Sequence, residues 1–208
     1  IPVTPVTTLD VEAFGGIPRI DKISWLRKWM LLKGYDKVLL SSLDEIAWML
    51  NVRGSDIDYN PLVISYLLVS QDYVKWFVKK GASDAELDPD TLDSFSELKA
   101  DGVEVLYYDD VFIGLSDFGE DADGGRLFVD PSTLNYNVYK YVSETYEHVS
   151  FGTSPVILKK AVKVESEIES MRQAFIDDGV AMECFLHWLD EEVSMGREIA
   201  EWEASEKL

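Results

Sequence analysis

The spacing of apolar residues predicts alternating helices and strands over the first three quarters of the chain. After Asp21, apolar residues recur at helical spacing at Ile23, Leu26, Trp29 or Met30, and Leu32, and Gly34 is a typical helix stop. The short apolar run at 37–40 predicts a buried strand. Two longer apolar runs, Leu62–Val69 and Val74–Val78, flank Ser70-Gln-Asp-Tyr73 and predict a hairpin of two buried strands.

Two further helices are predicted from their start signals. Ser42-Leu-Asp-Glu45 fits a capping box, in which Ser42 accepts from a backbone N–H and Glu45 reaches back, with a helix to about Leu50. Asp130-Pro131 predicts a helix to about Glu144, with Asp130 as N-cap and Pro131 at the first helical position.

The remaining signals complete an α/β pattern. They predict a helix near 90–100 and strands near 103–107, 127–129 and 147–151. Strands and helices thus alternate from 20 to 151, which is typical of a single α/β domain with a sheet flanked by helices.

The last part of the chain predicts helices only. Apolar residues keep helical spacing over many turns: Ile168, Met171, Phe175, Met182, Phe185, Leu189 and Val193. Glu165, Glu167 and Glu169 lie at the start of this helix, where its dipole favours negative charge, and a second helix is predicted near 197–207. This region is too one-sided to bury its own apolar face, so we expect it to open a further domain that the chain does not complete.

Charge and composition exclude several classes of partner. The 208 residues include 19 basic and 39 acidic side chains, a net charge of −20, and 47% hydrophobic residues. The chain is therefore globular, and no basic footprint for nucleic acid or an anionic membrane is visible. No apolar run approaches a membrane-spanning length.

The single cysteine and the N-terminal segment suggest a cytoplasmic protein. Cys184 cannot form an intramolecular disulfide, and its place on the apolar side of a helix predicts a small core residue. Residues 1–19 carry three of the seven prolines and Gly15-Gly16, so we expect a linker. Ile1-Pro-Val-Thr-Pro5 lacks a signal-peptide pattern and is interpreted as a cut point or a mature start, with a reducing cytoplasm as the expected compartment.

Known catalytic and metal-binding motifs are not found in the sequence. His148 and His187 are interpreted as ordinary polar or packing residues, and the tryptophans Trp25, Trp29, Trp48 and Trp76 fall on apolar positions expected in the core. Asp117-Phe-Gly is a chance match to a kinase tripeptide. Asp121-Ala-Asp-Gly124 resembles the start of a calcium loop without its remaining ligands, which favours a solvated acidic turn.

The most distinctive polar cluster is Asn51-Val-Arg-Gly-Ser-Asp56 followed by Tyr59-Asn-Pro61. The guanidinium of Arg53 could hold a carboxylate bidentately, from a substrate or from a neighbouring domain. We therefore treat Arg53, Asp56, Tyr59 and Asn60 as candidate residues that face substrate or another domain. The alternative is structural: a buried Arg–Asp pair that fixes a loop.

Residues 41–69 closely resemble the second domain of the long, three-domain Xaa-Pro aminopeptidases. The shared pattern is Asp44-Glu-Ile-Ala-Trp48, then Asn51-Val-Arg-Gly-Ser-Asp56, then Tyr59-Asn-Pro61 and the strand with Ser65-Tyr66. The resemblance continues in order through four further segments: 160–163, 167–174, 178–181 and 187–193. The family often has Asn-Pro where this chain has Val164 and Glu165, so a helix N-cap worth roughly 1 kcal/mol is absent. The segment Gly196-Arg-Glu-Ile-Ala200 is also unusual for the family.

The resemblance implies a domain architecture in which the catalytic and metal-binding residues lie outside this chain. It implies a linker at 1–19, a creatinase-like second N-terminal domain with a mixed sheet at 20–155, and the start of an incomplete pita-bread catalytic domain (metallopeptidase family M24) at 156–208. The family's two manganese ions, held by two Asp, one His and two Glu, lie downstream of the matching segment. No catalytic or metal-binding residue is therefore assigned to this chain, and by the same resemblance we expect the family's first creatinase-like domain to lie outside it.

Two functions follow as expectations. In the first, the chain is a non-catalytic portion of a metal-dependent Xaa-Pro aminopeptidase that shapes the active-site entrance and supports assembly. Its expected partners are the first and catalytic domains of the parent, proline-containing peptides bound by the complete enzyme, and a second copy of the chain in a homodimer. In the alternative, the chain is a natural non-catalytic binding module or pseudo-enzyme derived from that family.

Overall fold

The computed structural model describes residues 4–11, 16–79, 87–117 and 125–208. The chain divides into two compact units, a large one extending to Val162 and a small one that contains Lys163–Leu208. The sequence patterns at Asp121–Gly124 and at Phe118-Gly119 lie outside the described residues.

A six-stranded mixed sheet forms the centre of the large unit. The strands that the structure describes in this unit are β1 (Thr7–Thr8), β2 (Lys37–Leu40), β3 (Val52–Arg53), β4 (Ser65–Ser70), β5 (Val74–Val78), β6 (Val103–Tyr107), β7 (Arg126–Val129) and β8 (His148–Phe151). All of them except the short strands β1 and β3 belong to the central sheet. The order in the main sheet is β6-β5-β4-β2-β7-β8, with β4 antiparallel to β2 and β5 and the other pairs parallel. β1 and β3 form a separate antiparallel pair.

Helices cover both faces of this sheet. The helices of the large unit are α1 (Arg19–Lys33), α2 (Leu43–Leu50), α3 (Pro89–Ala100), α4 (Val111–Ser116), α5 (Tyr136–Thr145) and α6 (Pro155–Ala161), with a 3₁₀ turn at Tyr108–Asp110. Side chains of a strand alternate between faces, so Leu67 and Val69 pack with α1, α2 and α3, while Tyr66 and Leu68 pack with α4 and α5. The predicted α/β class with a mixed sheet flanked by helices is confirmed.

The predicted hairpin and first helix are confirmed. Val69 pairs with Val74 across the turn at 70–73, and the strands are buried on both sides, as a continuous apolar run requires. α1 ends at Gly34, whose φ of 71° is the left-handed conformation that glycine adopts at least cost.

The predicted capping of two helices is wrong. α2 begins after Ser42, but the Ser42 hydroxyl donates to Asp44 and makes no cap hydrogen bond. Glu45 is buried in the core instead of reaching back. The helix expected at Asp130-Pro131 begins at Tyr136, because Asn135 accepts from the backbone N–H of Val138 and acts as its N-cap.

The small unit consists of α7 (Glu165–Ser194) and α8 (Glu201–Lys207). Although Val164 has no capping side chain, Glu167 accepts from its backbone N–H at 2.9 Å and satisfies one donor at the start of α7. No residue of α7 is buried, and Cys184 is exposed, so the prediction of a core cysteine is wrong. The apolar side chains exposed on α7 include Met171, Phe175, Ile176, Val180, Leu186 and Val193.

Candidate functional site

The segment that carries Arg53 starts at the C-terminal end of α2, which hydrogen bonds hold in place. Asn51 follows this helix with a φ of 55°, a conformation that Asn tolerates better than most residues. The buried Lys22 ammonium donates to the Asn51 side chain and to the Trp48 carbonyl, and Asn51 donates to the Ile17 carbonyl. These bonds hold the end of α2, and therefore the start of β3, against α1.

Arg53 lies in β3, half-buried, with its guanidinium at the carboxyl end of α2. Its Nη1 donates to the carbonyls of Val52 at 2.8 Å and Ala47 at 3.4 Å, where the helix dipole favours a cation. Burial lowers the pKa of the Arg53 guanidinium. Within the described ranges no carboxylate forms an ion pair with Arg53, so the Arg–Asp pair considered as the structural alternative is not among its contacts.

Gly54 fixes the path of the backbone directly after Arg53. A Cβ added at this position would lie 2.5 Å from Cγ2 of Val63, closer than any side-chain carbon can pack. The chain therefore passes close to the segment that leads into β4, and Arg53 is held at the start of a tightly packed loop.

Asp56 fixes the loop through other partners than Arg53. Its carboxylate accepts from the Thr4 hydroxyl at 2.6 Å and from the backbone N–H of Ile64 at 2.7 Å. Both oxygens are thus used, and Asp56 joins the N-terminal segment, the loop and the entry to β4. The role predicted for Asp56 as a contact residue has no support in this geometry, which instead makes it a structural support of the loop.

Tyr59 and Asn60 form the tip of this loop. The Asn60 backbone N–H donates to the Ile57 carbonyl, and its side chain donates to the Asp58 carbonyl. Tyr59 has a φ of 62°, an unfavourable value for a bulky residue, and its side chain is fully exposed. The loop therefore presents an aromatic ring to solvent at a conformational cost.

A second polar cluster, not predicted as such, joins α2 to the start of α6. Glu45 accepts from the Ser154 hydroxyl, while the Ser154 backbone N–H donates to Asp130 at 2.8 Å. Lys160 forms an ion pair with the neighbouring Asp44. The sequence signal for this cluster is Glu45 in the first turn of a largely apolar helix, a position that the capping-box pattern assigns to the helix start.

The two buried carboxyl groups of this cluster have opposite pKa shifts. Burial raises the pKa of the Glu45 carboxyl, and the charges of Asp44 and Asp130 act in the same direction against the Ser154 hydrogen bond and Lys160. Burial also acts to raise the pKa of Asp130, but hydrogen bonds from Ser132 and Ser154 outweigh it and leave that pKa below its usual range.

A tyrosine-lined pocket of about 290 Å³ lies where α5 begins. Tyr66 and Tyr108 stack with ring centroids 5.1 Å apart, and the Asn135 amide donates to the Tyr66 hydroxyl. Burial raises the pKa of Tyr66 well above its usual range, so this hydroxyl stays protonated and serves packing and hydrogen bonding.

No catalytic metal centre is visible in the part of the chain that the structure describes. No group of three or more His, Cys, Asp or Glu side chains there is placed to hold a metal ion. His148 lies in β8 and His187 in α7, far apart in sequence and without a shared ligand set. Trp76 is fully buried, and Trp25, Trp29 and Trp48 pack against the core, as expected. Among the described helices none has the length and apolar character to cross a membrane.

Comparison with known proteins gives consistent matches. The sequence model of the Creatinase/Prolidase N-terminal domain matches residues 1–167. Xaa-Pro aminopeptidase 1 of Dictyostelium discoideum is 35% identical over 184 residues, which cover 88% of this chain and 27% of that protein. Xaa-Pro aminopeptidase app-1 of Caenorhabditis elegans is 31% identical over 208 residues, which cover 98% of this chain and 32% of that protein.

Solved structures agree with these sequence matches. The crystal structure of X-prolyl aminopeptidase from Caenorhabditis elegans, described as a cytosolic enzyme with a di-nuclear active site, superposes with a TM-score of 0.85 at 31% identity. The matched region covers 98% of this chain and 32% of the Caenorhabditis elegans enzyme. An Xaa-Pro dipeptidase from Bacillus anthracis shares the fold with a TM-score of 0.56 at 20% identity. The chain thus spans about a third of the length of the relatives that it matches.

Proposed function

Because the chain belongs to the Creatinase/Prolidase N-terminal domain family, we propose that it is a non-catalytic portion of a metal-dependent Xaa-Pro aminopeptidase. The complete enzyme would remove the N-terminal residue ahead of a proline. This portion would shape the active-site entrance and support assembly, in the cytoplasm, with the first domain and the catalytic domain as its partners. The matches to Xaa-Pro aminopeptidases over nearly the whole chain support this proposal.

The observation that carries the proposal is the exposed apolar surface of α7. This 30-residue helix buries no side chain, and its apolar residues keep the spacing of a helix that packs against a partner. The relatives are about three times as long as this chain. A catalytic domain that packs against α7 accounts for both facts. The alternative, an independent binding module, requires α7 to fold back or to pair with another chain, and it does not account for the greater length of the relatives.

Two metal ions are proposed for the parent and not for this portion. A di-nuclear active site is described for the relative from Caenorhabditis elegans. The described residues of this chain do not fit such a site, because their carboxylates and histidines form no cluster of three or more potential ligands. We therefore derive no step of the reaction from these residues. When bound elsewhere in the parent, two metal ions would activate water and polarise the scissile carbonyl.

Hydrolysis of an Xaa-Pro-Pro peptide in the presence of manganese tests the proposal. We expect turnover by the complete enzyme and none by the 208-residue chain under the same conditions. Turnover by this chain with bound metal, or an inactive complete enzyme, would overturn the proposal that this chain is the non-catalytic portion of an Xaa-Pro aminopeptidase.

Within this function, Arg53 is proposed to contact a carboxylate of the substrate or of a neighbouring domain. Only Nη1 makes hydrogen bonds to the described residues, and the rest of the guanidinium fork is available to a ligand. Tyr59 and Asn60 would extend this surface, with Asp56 holding the loop that carries them.

Arg53→Ala in the complete enzyme tests this contact, with Arg27→Ala as the matched control. Arg27 also donates to a backbone carbonyl, that of Ser70, but it lies on α1. We expect both changes to lower the free energy of unfolding by about 1 kcal/mol, and only Arg53→Ala to raise KM, by roughly tenfold or more. Equal KM values for the two variants would leave Arg53 a purely structural residue.

A further inference from the structure

The tyrosine-lined pocket lies at the carboxyl edge of the central sheet. Tyr108 comes directly after β6, and Asn135 lies in the loop that follows β7. Tyr66 reaches the same edge because it lies near the start of β4, which runs antiparallel to β2 and β5. The helix that follows β5, α3, and the helix that follows β7, α5, pack on opposite faces of the sheet. In open α/β sheets, ligands bind at this edge where the connections change face.

Tyr66 brings to this pocket a hydrogen-bond donor that has no acceptor. Its oxygen accepts from the Tyr108 hydroxyl at 3.2 Å and from the Asn135 amide, which uses both lone pairs. Burial raises the pKa of Tyr66 well above its usual range, so the hydroxyl keeps its proton. Tyr66 is only 5% exposed, and no described residue accepts this proton. Since an unpaired buried donor is costly, an acceptor oxygen on a ligand would be favourable there.

The start of α5 adds two backbone donors to the same pocket. Tyr136 and Asn137 are the first two residues of this ten-residue helix, and both line the pocket. The Asn135 side chain accepts from the N–H of Val138, and within the described ranges the N–H groups of Tyr136 and Asn137 have no acceptor. The helix dipole favours negative charge at this position. Together with the Tyr66 hydroxyl, these donors match a carboxylate.

Asp109 contributes a negative charge to the pocket. Its Oδ2 accepts from the Lys79 ammonium at 3.2 Å, whereas its Oδ1 has no donor among the residues that the structure describes. The Asp109 side chain is largely exposed, so it can bind a second cation without the cost of burial. Apolar side chains of Val111, Phe112 and Val138 line the remainder. The volume of about 290 Å³ is at the low end for ligand pockets, so the ligand is small.

We infer that this pocket binds a free α-amino acid as a zwitterion. The carboxylate would accept from the Tyr66 hydroxyl and from the start of α5. The α-ammonium would donate to Oδ1 of Asp109, and the side chain would contact Val111 and Phe112. This inference goes beyond the proposed function and does not depend on it, because every residue involved belongs to this chain.

Titration of the 208-residue chain with L-alanine, L-leucine and L-phenylalanine tests the inference. Calorimetry measures the affinity, and heteronuclear NMR of the backbone amides locates the ligand. We expect at least one of the three to bind with a Kd below about 1 mM and to shift the amide signals of Tyr136 and Asn137. The N-acetyl form of that amino acid lacks the ammonium, its amide lacks the carboxylate, and its dipeptide places the two charges further apart. Each of these should bind roughly tenfold more weakly or worse.

Two variants with matched controls test the assigned contacts. Asp109→Asn should weaken binding of the amino acid roughly threefold or more and leave the N-acetyl form unaffected, whereas Asp110→Asn, outside the pocket, should change neither. Tyr66→Phe should also weaken binding, with Tyr146→Phe as the control, since the buried Tyr146 hydroxyl donates to the Leu115 carbonyl instead. Thermal unfolding shows whether Tyr66→Phe is folded, and Asp109→Asn decides the matter if it is not.

Several outcomes would overturn the inference. One is the absence of saturable binding by all three amino acids up to about 10 mM. Another is equal affinity for the N-acetyl form, the amide or the dipeptide, because the site would then not recognise a free zwitterion. Shifts confined to amides away from α5, or equal affinities of Asp109→Asn and Asp110→Asn, would place the ligand elsewhere.

Discussion

Glu45 places a carboxyl group almost entirely out of water. It is 1% exposed, one oxygen accepts from the Ser154 hydroxyl, and the other has no hydrogen-bond partner among the described residues. Since its pKa is raised, the folded protein binds this proton more tightly than the unfolded chain does. Ionisation of Glu45 therefore costs stability, and the loss begins as the pH rises past the ordinary pKa of 4.5.

Glu45→Gln is expected to raise the free energy of unfolding at pH 7 by about 1 kcal/mol. The amide keeps an acceptor for Ser154 and never ionises. The gain should vanish below pH 4.5, where both side chains are neutral, grow until the pH exceeds the folded pKa, and stay constant above it. Urea unfolding between pH 4 and pH 8, which spans this window, measures it. Glu104→Gln, at an exposed position of β6, serves as the control variant with the same change of side chain.

Tyr59 stores conformational strain that a smaller residue releases. We expect Tyr59→Asn to stabilise the chain by about 1 kcal/mol, because Asn tolerates positive φ and the exposed ring makes no packing contact that would be lost. Denaturant unfolding of Tyr59→Asn and Tyr59→Ala separates the causes. An equal gain from alanine, which does not tolerate this φ, would show that the backbone is not responsible.

At the scale of the elements, apolar runs were reliable predictors and polar start signals were not. The strand at Lys37–Leu40 and the hairpin through Val74–Val78 were predicted because burial on both faces demands continuous apolar runs. The short elements β1, β3, α4 and α6 were missed, since their few residues form no periodic pattern and depend on contacts distant in sequence.

Asp130 shows why the polar signals failed. Its sequence context, followed by proline, is that of a helix N-cap, but one oxygen accepts from Ser132 and the other from the backbone N–H of Ser154. The carboxylate thereby stabilises the turn after β7 and the start of α6. Asn135, three residues after Ser132, caps α5 in its place. Asp130 and Asn135 are both favourable N-cap residues in isolation, and tertiary contacts determine that Asn135 caps the helix.

Asn135 and Ser42 occupy the N-cap positions of α5 and α2, and their replacement should lower the stability of the fold by different amounts. We expect Asn135→Ala to lower the free energy of unfolding by about 1–2 kcal/mol, since it removes the hydrogen bonds to Val138 and Tyr66. Ser42→Ala should cost less than about 0.5 kcal/mol, because Ser42 makes no cap hydrogen bond. Asn135→Asp, which keeps only the acceptor, should fall between them in urea unfolding. A Ser42→Ala loss as large as that of Asn135→Ala would contradict this assignment.

At the scale of the whole molecule, the distance in sequence decided which parts of the candidate site could be predicted. Arg53 binds the carbonyl of Ala47, six positions earlier, so the segment around it was recognisable from a local pattern. Glu45 and Ser154 are 109 positions apart, and no local pattern joins them. The contact exists only because α2 and α6 meet on the same side of the sheet.

The distribution of buried residues predicts which part of the chain folds alone. Both hydrophobic clusters lie between Val6 and Val156, and α7 contributes no buried side chain. We therefore expect a variant that ends at Val162 to unfold cooperatively, with a Tm within about 2 °C of that of the 208-residue chain.

A variant that ends at Gly152 is the control for this truncation. It also lacks Ser154, which holds Glu45 and Asp130, and the fully buried Val156. Loss of these contacts should lower the Tm by roughly 5–10 °C, since each kcal/mol lost shifts the Tm of a domain of this size by about 2–4 °C. Scanning calorimetry compares the three proteins. A large decrease in Tm on ending at Val162 would mean that the small unit stabilises the large one, and the exposed apolar face of α7 would then no longer point to a missing domain.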